Sequence, residues 1–191
     1  MNRSIGIVLL SLTAVCCTRV TAPDDPSTNE YYPLQVGNRW IYASTNPGIG
    51  GTFIDEVVGI RQLGEHQYFA IRYSRSNDAA ADTSYLRIAE DGTIRIYRSR
   101  ADQMFVDFRH PVNHRWPSYD GYWGVVQERG SSVTVPAGTF PNCLKIFLDI
   151  PFLADDEQWY TFAQGIGPIE RKTAWFGVKL VSAKVGSRSY P

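Results

Sequence analysis

Two histidines, His110 and His114, lie four residues apart with an aspartate on each side of the pair. On one face of a helix, two imidazoles at this spacing could hold a metal ion. Here Pro111 and Pro117 make the segment a loop, because proline interrupts a helix, and no third ligand is specified. The pattern predicts solvated loop histidines, and we expect neither a metal nor a cofactor.

The acidic run 155–157 is a second group of possible ligands. A calcium loop needs several oxygen ligands around a sharp glycine turn, which three adjacent acids do not supply. The run therefore predicts an exposed hairpin tip. Paired carboxylates for glycoside hydrolysis are set by space rather than by sequence, so a hydrolase remains an alternative. Because the chain has no G-x-S-x-G, H-E-x-x-H or lysine-serine motif, we do not expect an enzyme.

Five tryptophans could stack on sugars or line an apolar pocket. Those at strand positions are predicted to fill the core. Trp116 and Trp123 instead flank the loop 117–121, where a large indole has less reason to be buried. With His114 and Tyr119 beside them, they form the predicted ligand-contact site, an exposed aromatic loop.

Cys16 and Cys17 follow an apolar run from Ile5 to Val15, which Arg3 precedes. The run is too short to cross a bilayer, which needs roughly 20 residues, but it suits the apolar part of a secretory signal. A lipoprotein signal places a cysteine directly after the cleavage site, and its thiol receives diacylglycerol. The preceding residue is usually small. Cys17 follows the small Cys16 and is the predicted lipidation site; Cys16 follows bulky Val15 and is the alternative.

Two other fates remain open for this segment. Val20-Thr21-Ala22 would suit ordinary secretory cleavage, although Pro23 is a poor residue after a cut, and the signal could also stay uncleaved. Mature lipoproteins carry at least two acyl chains, enough for firm attachment. In the sorting scheme known from enterobacteria, a residue other than Asp after the lipidated cysteine favours the outer membrane. With Thr18 there, we expect a protein anchored in the bilayer of the bacterial envelope, in the outer membrane.

The chain divides into three predicted parts: a signal peptide (1–16), a disordered tether (17–30) and one domain (31–191). The tether is rich in Pro, Thr and Asp and has almost nothing to bury, whereas 31–191 is long enough for a core. The 19 basic and 19 acidic residues leave no charge bias, which argues against nucleic acid as a partner. Cys143, the one cysteine of the domain, is predicted to be a small buried hydrophobe.

Alternating apolar residues predict strands throughout the domain, as in 144–150. Asp91-Gly92 predicts a hairpin between strands 85–90 and 93–98. Residues 77–82 are predicted to form a loop or single turn, and no helix of about ten residues or more is indicated. The other predicted strands are 39–44, 53–62, 67–75, 104–108, 122–128, 131–135, 158–162, 169–176 and 178–185. So many strands cannot stay flat. We predict an all-β fold: a single strongly curved antiparallel sheet or partly closed barrel, with meander topology.

Three phrases extend over nearly the whole domain: Tyr31-Tyr-Pro-Leu-Gln-Val-Gly-Asn-Arg-Trp40, Val133-Thr-Val-Pro-Ala-Gly-Thr-Phe-Pro-Asn-Cys-Leu-Lys-Ile146 and Gln158-Trp-Tyr-Thr-Phe-Ala-Gln-Gly-Ile-Gly-Pro-Ile-Glu-Arg171. They resemble the phrases YPL-x-VG-N-x-W, VPAGTF-x-x-C-L-K and W-x-APG-x-G-x-[VI] of a widespread group of uncharacterised bacterial envelope lipoproteins. Ala163-Gln164-Gly165 departs from the last phrase. The resemblance implies a lipoprotein without an established activity. By fold analogy it implies a curved sheet similar to lipoprotein-carrier half-barrels.

These observations lead to three functional hypotheses. The first is a membrane-anchored, non-enzymatic binding or accessory protein whose curved sheet holds an apolar ligand, a glycan or an envelope protein. The second is a structural or assembly component of the envelope without a small ligand. The third is a hydrolase with spatially assembled carboxylates. An open hollow lined by apolar side chains would favour the first, a filled core the second, and a cleft with two facing carboxylates the third.

Overall fold

The computed structural model describes residues 28–76 and 80–191, so the predicted signal peptide and most of the predicted tether lie outside it. Thirteen strands form one antiparallel sheet, which confirms the all-β prediction. Only two short helical turns accompany the strands in the described chain, α1 (Thr28–Tyr31) and a 3-10 turn (Tyr119–Gly121). The strands are β1 (Arg39–Ser44), β2 (Thr52–Leu63), β3 (His66–Arg75), β4 (Ala81–Ile88), β5 (Ile94–Arg98), β6 (Ala101–Val106), β7 (Arg115–Pro117), β8 (Trp123–Val135), β9 (Gly138–Asp149), β10 (Gln158–Ala163), β11 (Gly167–Thr173), β12 (Gly177–Val185) and β13 (Arg188–Tyr190).

The sheet is a meander that curls into a nearly closed barrel. Its strand order is β6-β5-β4-β3-β2-β1-β12-β11-β10-β9-β8-β7, and β13 pairs with the end of β12. The pairing of β1 with β12 joins the two halves of the chain. Strands β6 and β7 are the two edges of the sheet, and one unsealed seam separates them.

Side chains rather than backbone ladders bridge this seam. The backbone oxygen of Phe105 on β6 accepts hydrogen bonds from the Trp116 indole (3.4 Å) and the Ser118 hydroxyl (2.9 Å). Further along, the backbone N–H of Asp120 donates to the Gln103 side chain at 2.9 Å. A few directed side-chain contacts therefore hold the two sheet edges close to each other across the unsealed seam.

The end of the barrel beside α1 is closed by aromatic packing, and we call it the closed end. The N–H of Gly165 donates to the backbone oxygen of Glu30 at 2.6 Å, which fixes α1 against the β10–β11 turn. Tyr32 packs within 6.0 Å of the Trp40 ring and 5.7 Å of the Phe162 ring. Trp40 is fully buried, and its indole N–H donates to the Ile166 oxygen at 2.6 Å. Apolar burial of this kind is the main stabilising term in folding.

Several strand boundaries differ from the sequence predictions. β4 begins at Ala81, inside the predicted loop 77–82, because Ala81 and Asp82 pair with the end of β3. β8 is one strand where two were predicted, and it passes through irregular register shifts with Gly130 at φ +78°. The three-residue strand β7 was not predicted, because such a short segment carries no periodic pattern.

Burial agrees with most of the core predictions. Cys143 is completely buried, as predicted, and Trp40 fills the core. Trp159 and Trp175 were also expected in the core, but Trp159 is only half-buried and Trp175 is 76% exposed. The Thr173 hydroxyl accepts hydrogen bonds from the Trp175 and Phe176 backbone N–H groups, so β11 ends in a turn and the indole projects outward. In the described part of the chain, no helix has the length and hydrophobicity needed to span a membrane.

Candidate functional site

Two adjoining cavities lie inside the barrel and extend toward the end opposite α1, which we call the open end. Their volumes are about 220 Å³ for the first cavity and about 280 Å³ for the second. Together they reach the lower part of the range of small-molecule sites, roughly 300–1,000 Å³. Tyr73, Gln158, Tyr160 and Arg171 line both cavities. The first cavity is also lined by Tyr32, Asp82, Ser84, Arg98, Tyr119 and Phe162, and the second by Phe53, Asp55, Lys172, Phe176 and Val178.

Strand register brings these side chains together. Tyr73 on β3 is the cross-strand partner of Asp55 on β2 and of Asp82 on β4. Arg171 on β11 is the cross-strand partner of Tyr160 on β10. Directly opposed residues share one face of an antiparallel sheet, so each of these groups points into the barrel.

An ion pair between Arg171 and Asp55 crosses the interior. Nη2 of Arg171 donates to Oδ1 of Asp55 at 3.0 Å, and Nη1 lies 2.9 Å from Oδ2. Oδ2 accepts no hydrogen bond from the described residues. Burial raises the pKa of Asp55, and the opposing charge of Arg171 only partly offsets it. The Asp55 side chain is 2% exposed, whereas that of Arg171 is 24% exposed and faces the cavities.

Tyrosine rings surround the guanidinium. Its central carbon lies 4.7 Å from the ring centre of Tyr42 and 5.6 Å from that of Tyr73. Burial, together with the Asp55 charge, raises the pKa of Tyr73 to about 12, and burial also raises the pKa of Tyr42 and Tyr160. These phenols therefore remain neutral hydrogen-bonding groups in ordinary buffers. The rings can also stabilise the cation above their faces.

Gln158 lies at the junction of the two cavities. Its Oε1 accepts hydrogen bonds from the hydroxyl groups of Tyr160 (2.8 Å) and Tyr119 (3.2 Å). The amide nitrogen makes no hydrogen bond with the described residues. The two phenols thus orient the amide and leave its two N–H donors available to a molecule in the cavity.

The structure agrees only in part with the predicted exposed aromatic loop. Tyr119 lines the first cavity, but it is buried rather than exposed. Trp116 is only 2% exposed, because its ring fills the seam against Gly124, where any larger side chain would collide with the indole. Trp123 is 40% exposed on the outer surface, 5.6 Å from the Arg115 guanidinium. His114 is exposed and does not line either cavity.

The other candidate chemical groups also lie outside the cavities. His114 stacks on His110 with ring centres 3.8 Å apart, and His110 lies 3.4 Å from the Asp107 carboxylate. Within residues 28–76 and 80–191, no group of three or more His, Cys, Asp and Glu could hold a metal ion. Burial raises the pKa of the Cys143 thiol, which disfavours the reactive thiolate.

The acidic run 155–157 lies in the loop between β9 and β10, as the sequence predicted, but only Asp155 is exposed, whereas Asp156 and Glu157 are half-buried. Oδ2 of Asp156 accepts a hydrogen bond from the Ile150 backbone at 2.6 Å, which holds the loop closed. Phe152 and Leu153 in the same loop are exposed, and Trp175 is exposed in the β11–β12 turn. The rim of the open end therefore carries three large apolar side chains.

Sequence reasoning missed the central pair of the site. Asp55 lies between Phe53 and Val57 on the inward face of β2, and Arg171 follows Ile169 on the inward face of β11. A charged residue at an apolar position of an alternating strand is the signal that could have identified both, because unpaired buried charges are strongly disfavoured. Such a charged residue marks a candidate site, but the strand pattern does not show which residue will pair with it.

Comparison with known proteins gives a limited result. No family model matches the chain, and no curated protein matches its sequence. A structure from Parabacteroides distasonis ATCC 8503, provisionally described as a lipoprotein, is similar with a TM-score of 0.48 and 12% identity. A structure from Bacteroides fragilis NCTC 9343, provisionally described as an exported protein with a YmcC-like fold, has a TM-score of 0.47 and 13% identity. Each match covers 81% of this chain and 98% of the other, and both are too distant to assign a function.

Proposed function

We propose that this protein is a lipid-anchored protein of the bacterial cell envelope that binds a small polar molecule in the open end of its barrel. The observation that carries this proposal is the tyrosine-lined hollow around the Arg171–Asp55 pair. A buried ion pair seldom adds stability over apolar side chains of similar size. A barrel serving only as a scaffold would be at least as stable with apolar residues there, so the polar interior favours binding.

The anchor completes the proposal. The sequence before the described chain supports lipidation at Cys17, or alternatively at Cys16, and Thr18 supports the outer membrane. The described chain begins at the closed end of the barrel. Ten residues (18–27) lie between Cys17 and Thr28, so the two can be at most about 40 Å apart when the chain is fully extended. With the anchor leading to the closed end, the open end would face away from the bilayer surface.

We propose binding without a chemical step. The buried carboxylate of Asp55 is engaged by Arg171, so it is poorly placed to act as a general acid or nucleophile. Among the described residues, no histidine or cysteine lines either cavity. Apart from the paired Asp55 and the exposed Asp82, the lining consists mainly of groups that recognise a molecule by hydrogen bonding and stacking, and this favours a binding protein over a hydrolase.

Native mass spectrometry of full-length protein purified in detergent from its own envelope tests the binding function. We expect a bound small molecule on the wild type and on the Ser189→Phe variant, which changes an exposed position on β13. Val178→Phe should lose that molecule, because Val178 shares the inward face with Arg171 and the larger ring fills the second cavity. Repeated absence of an adduct from the wild type, or its retention in Val178→Phe, would contradict the proposal.

Metabolic labelling with palmitate tests the anchor separately. We expect the wild type to incorporate label and Cys17→Ser to lose it, while Cys16→Ser retains it. Loss in Cys16→Ser alone would assign the alternative cysteine. Label that persists after both cysteines are changed to serine, or no label in the wild type, would rule out the lipid anchor.

An assembly component of the envelope is the second candidate. It is favoured by the exposed Phe152, Leu153 and Trp175 at the rim, since exposed large apolar side chains often contact a partner protein. In that case the native spectra should show no small molecule but a stoichiometric protein partner, which Phe152→Ser would release. A small-molecule adduct without such a partner would exclude this candidate.

A further inference from the structure

Arg171 retains hydrogen-bond donors that the protein does not use. A guanidinium has five N–H groups, and Asp55 occupies the edge formed by Nη1 and Nη2. The adjacent edge, formed by Nε and a terminal nitrogen, donates no hydrogen bond to the described residues. Since an arginine can bind carboxylates along more than one edge, Arg171 can hold Asp55 and a second carboxylate together.

Gln158 supplies a second set of unused donors close to this edge. It lies two residues before Tyr160 on β10, on the same inward face, and Tyr160 is the cross-strand partner of Arg171. Residues two apart in a strand are separated by about 7 Å, so one small molecule can reach both Gln158 and Arg171. The Gln158 oxygen is held by two phenols, so the amide N–H groups are already oriented.

The charges favour the second cavity for an anion. Its one carboxylate, Asp55, is already paired with Arg171, while the Lys172 ammonium lies over the Trp159 ring, 5.1 Å from the ring centre. The first cavity instead includes Asp82, and its cation Arg98 is already paired with Asp120 at 2.8 Å, so the charge of Asp82 would repel an anion there. Phe53 and Phe176, with ring centres 5.0 Å apart, form an apolar wall in the second cavity.

We propose that the second cavity binds a small organic acid with a flat apolar body. Its carboxylate is held by the free edge of Arg171 and the amide of Gln158, and its body packs against Phe53 and Phe176. This inference rests on the proposed binding function and adds the chemical class of the ligand. Charge-assisted hydrogen bonds to arginine give the carboxylate its affinity, and the aromatic wall selects the apolar body.

Isothermal titration calorimetry of the full-length protein in detergent micelles tests the ligand class with a matched pair of probes, benzoate and benzamide. The two have similar shape, and only benzoate carries the charge. We expect benzoate to bind at least about tenfold more tightly than benzamide, which corresponds to about 1.4 kcal/mol. Equal affinity for the two probes, or no saturable binding of benzoate, would overturn the inference.

Gln158→Glu is the variant that tests the position of the carboxylate. It keeps an oxygen for the two phenols, removes the N–H donors and adds a repelling charge, so benzoate affinity should fall about tenfold or more. Gln62→Glu makes the same chemical change at an exposed position of the β2–β3 hairpin and should leave affinity unchanged. An unchanged affinity in Gln158→Glu would contradict the proposed site.

Arg171→Lys provides a second variant if Gln158→Glu does not fold. Lysine keeps a cation beside Asp55 but lacks the Nε edge, so benzoate affinity should again fall about tenfold.

The benzoate titrations and the native mass spectra together distinguish failure of this inference from failure of the proposed function. A neutral molecule that co-purifies with the wild type would overturn the carboxylate assignment and leave binding intact, whereas no adduct together with no benzoate binding would overturn both.

Discussion

Two aspartates of this barrel are bound by arginine and flanked by tyrosine, one inside the sheet and one on its outer side. The outer residue, Asp102, accepts four hydrogen bonds: one from Tyr68 (2.8 Å), two from Arg87 (3.1 and 2.6 Å) and one from Arg95 (2.6 Å). The inner residue, Asp55, accepts one of good geometry, from Arg171. Similar residue types thus form a fully bonded cluster outside and a partly bonded pair inside.

The number of hydrogen-bond donors around each carboxylate decides the direction in which its pKa shifts. Burial acts to raise the pKa of Asp102, but its hydrogen bonds outweigh burial and hold that pKa at about 2. The pKa of Asp55 is raised by burial, because its partner offsets less of the cost of desolvation. The outer cluster satisfies its own members and has a structural role. The inner pair leaves donors of Arg171 free, which is the arrangement that a binding site requires.

Removing each carboxylate charge should give the largest difference between the two regions. Asp55→Asn removes a charge that burial disfavours and leaves Arg171 partly exposed to the cavities, so it should change the free energy of unfolding by less than about 0.5 kcal/mol. Asp102→Asn removes a charge that its hydrogen bonds stabilise, so it should cost about 1.5 kcal/mol at neutral pH. Urea unfolding followed by tryptophan fluorescence measures both. Equal losses would show that the inner carboxylate is stabilised as strongly as the outer one.

Acidification should change the stability contributed by Asp102 and by Asp55 in opposite directions. An acid whose pKa is lowered by folding contributes stability above its unfolded pKa of about 3.9 and loses it as the pH falls through the folded value. For Asp102 that loss lies between about pH 4 and pH 2 and should amount to about 1.5 kcal/mol after solvent screening. The raised pKa of Asp55 has the opposite effect: its contribution is present at low pH and is lost as the pH rises through its folded pKa.

The measurement is the free energy of unfolding at several pH values for the wild type and two variants. Asp102→Asn should flatten the loss of stability below about pH 4, because the titrating group is gone. Asp55→Asn should instead make the loss from neutral pH to about pH 4 steeper, because it removes a group that gains stability on protonation. A parallel change in both variants would show that the two carboxylates titrate alike.

Local sequence patterns predicted much of the fold. The predicted strand 39–44 has the bounds of β1, and Gly92 adopts φ +81° in the turn predicted at Asp91-Gly92. Both predictions depend only on neighbouring residues, such as an alternating run or a glycine able to take positive φ. The curled all-β architecture followed from the number of such runs.

The candidate site depends on contacts between distant parts of the chain. Arg171 and Asp55 are 116 residues apart, and only the pairing of β1 with β12 brings their strands close. Trp116 was predicted to be exposed because it borders a loop, yet it fills a seam between two sheet edges that no local pattern reveals. Tyr119 is the one predicted contact residue that lines a cavity. Its hydroxyl donates to Gln158, 39 residues away in the sequence, instead of facing solvent.

Removing one tyrosine hydroxyl from each region gives the finest test of the comparison. Tyr68→Phe deletes a donor to the charged Asp102 and should cost about 1 kcal/mol of stability. Tyr160→Phe deletes a donor to the neutral Gln158 beside a cavity that water can enter, so it should cost less than about 0.5 kcal/mol. Its effect should appear in binding instead, with benzoate affinity lowered about threefold, because one of the two bonds that orient the Gln158 amide is gone. If Tyr160→Phe lowers stability as much as Tyr68→Phe and leaves benzoate affinity unchanged, the inner cluster is structural like the outer one, and the division between them fails.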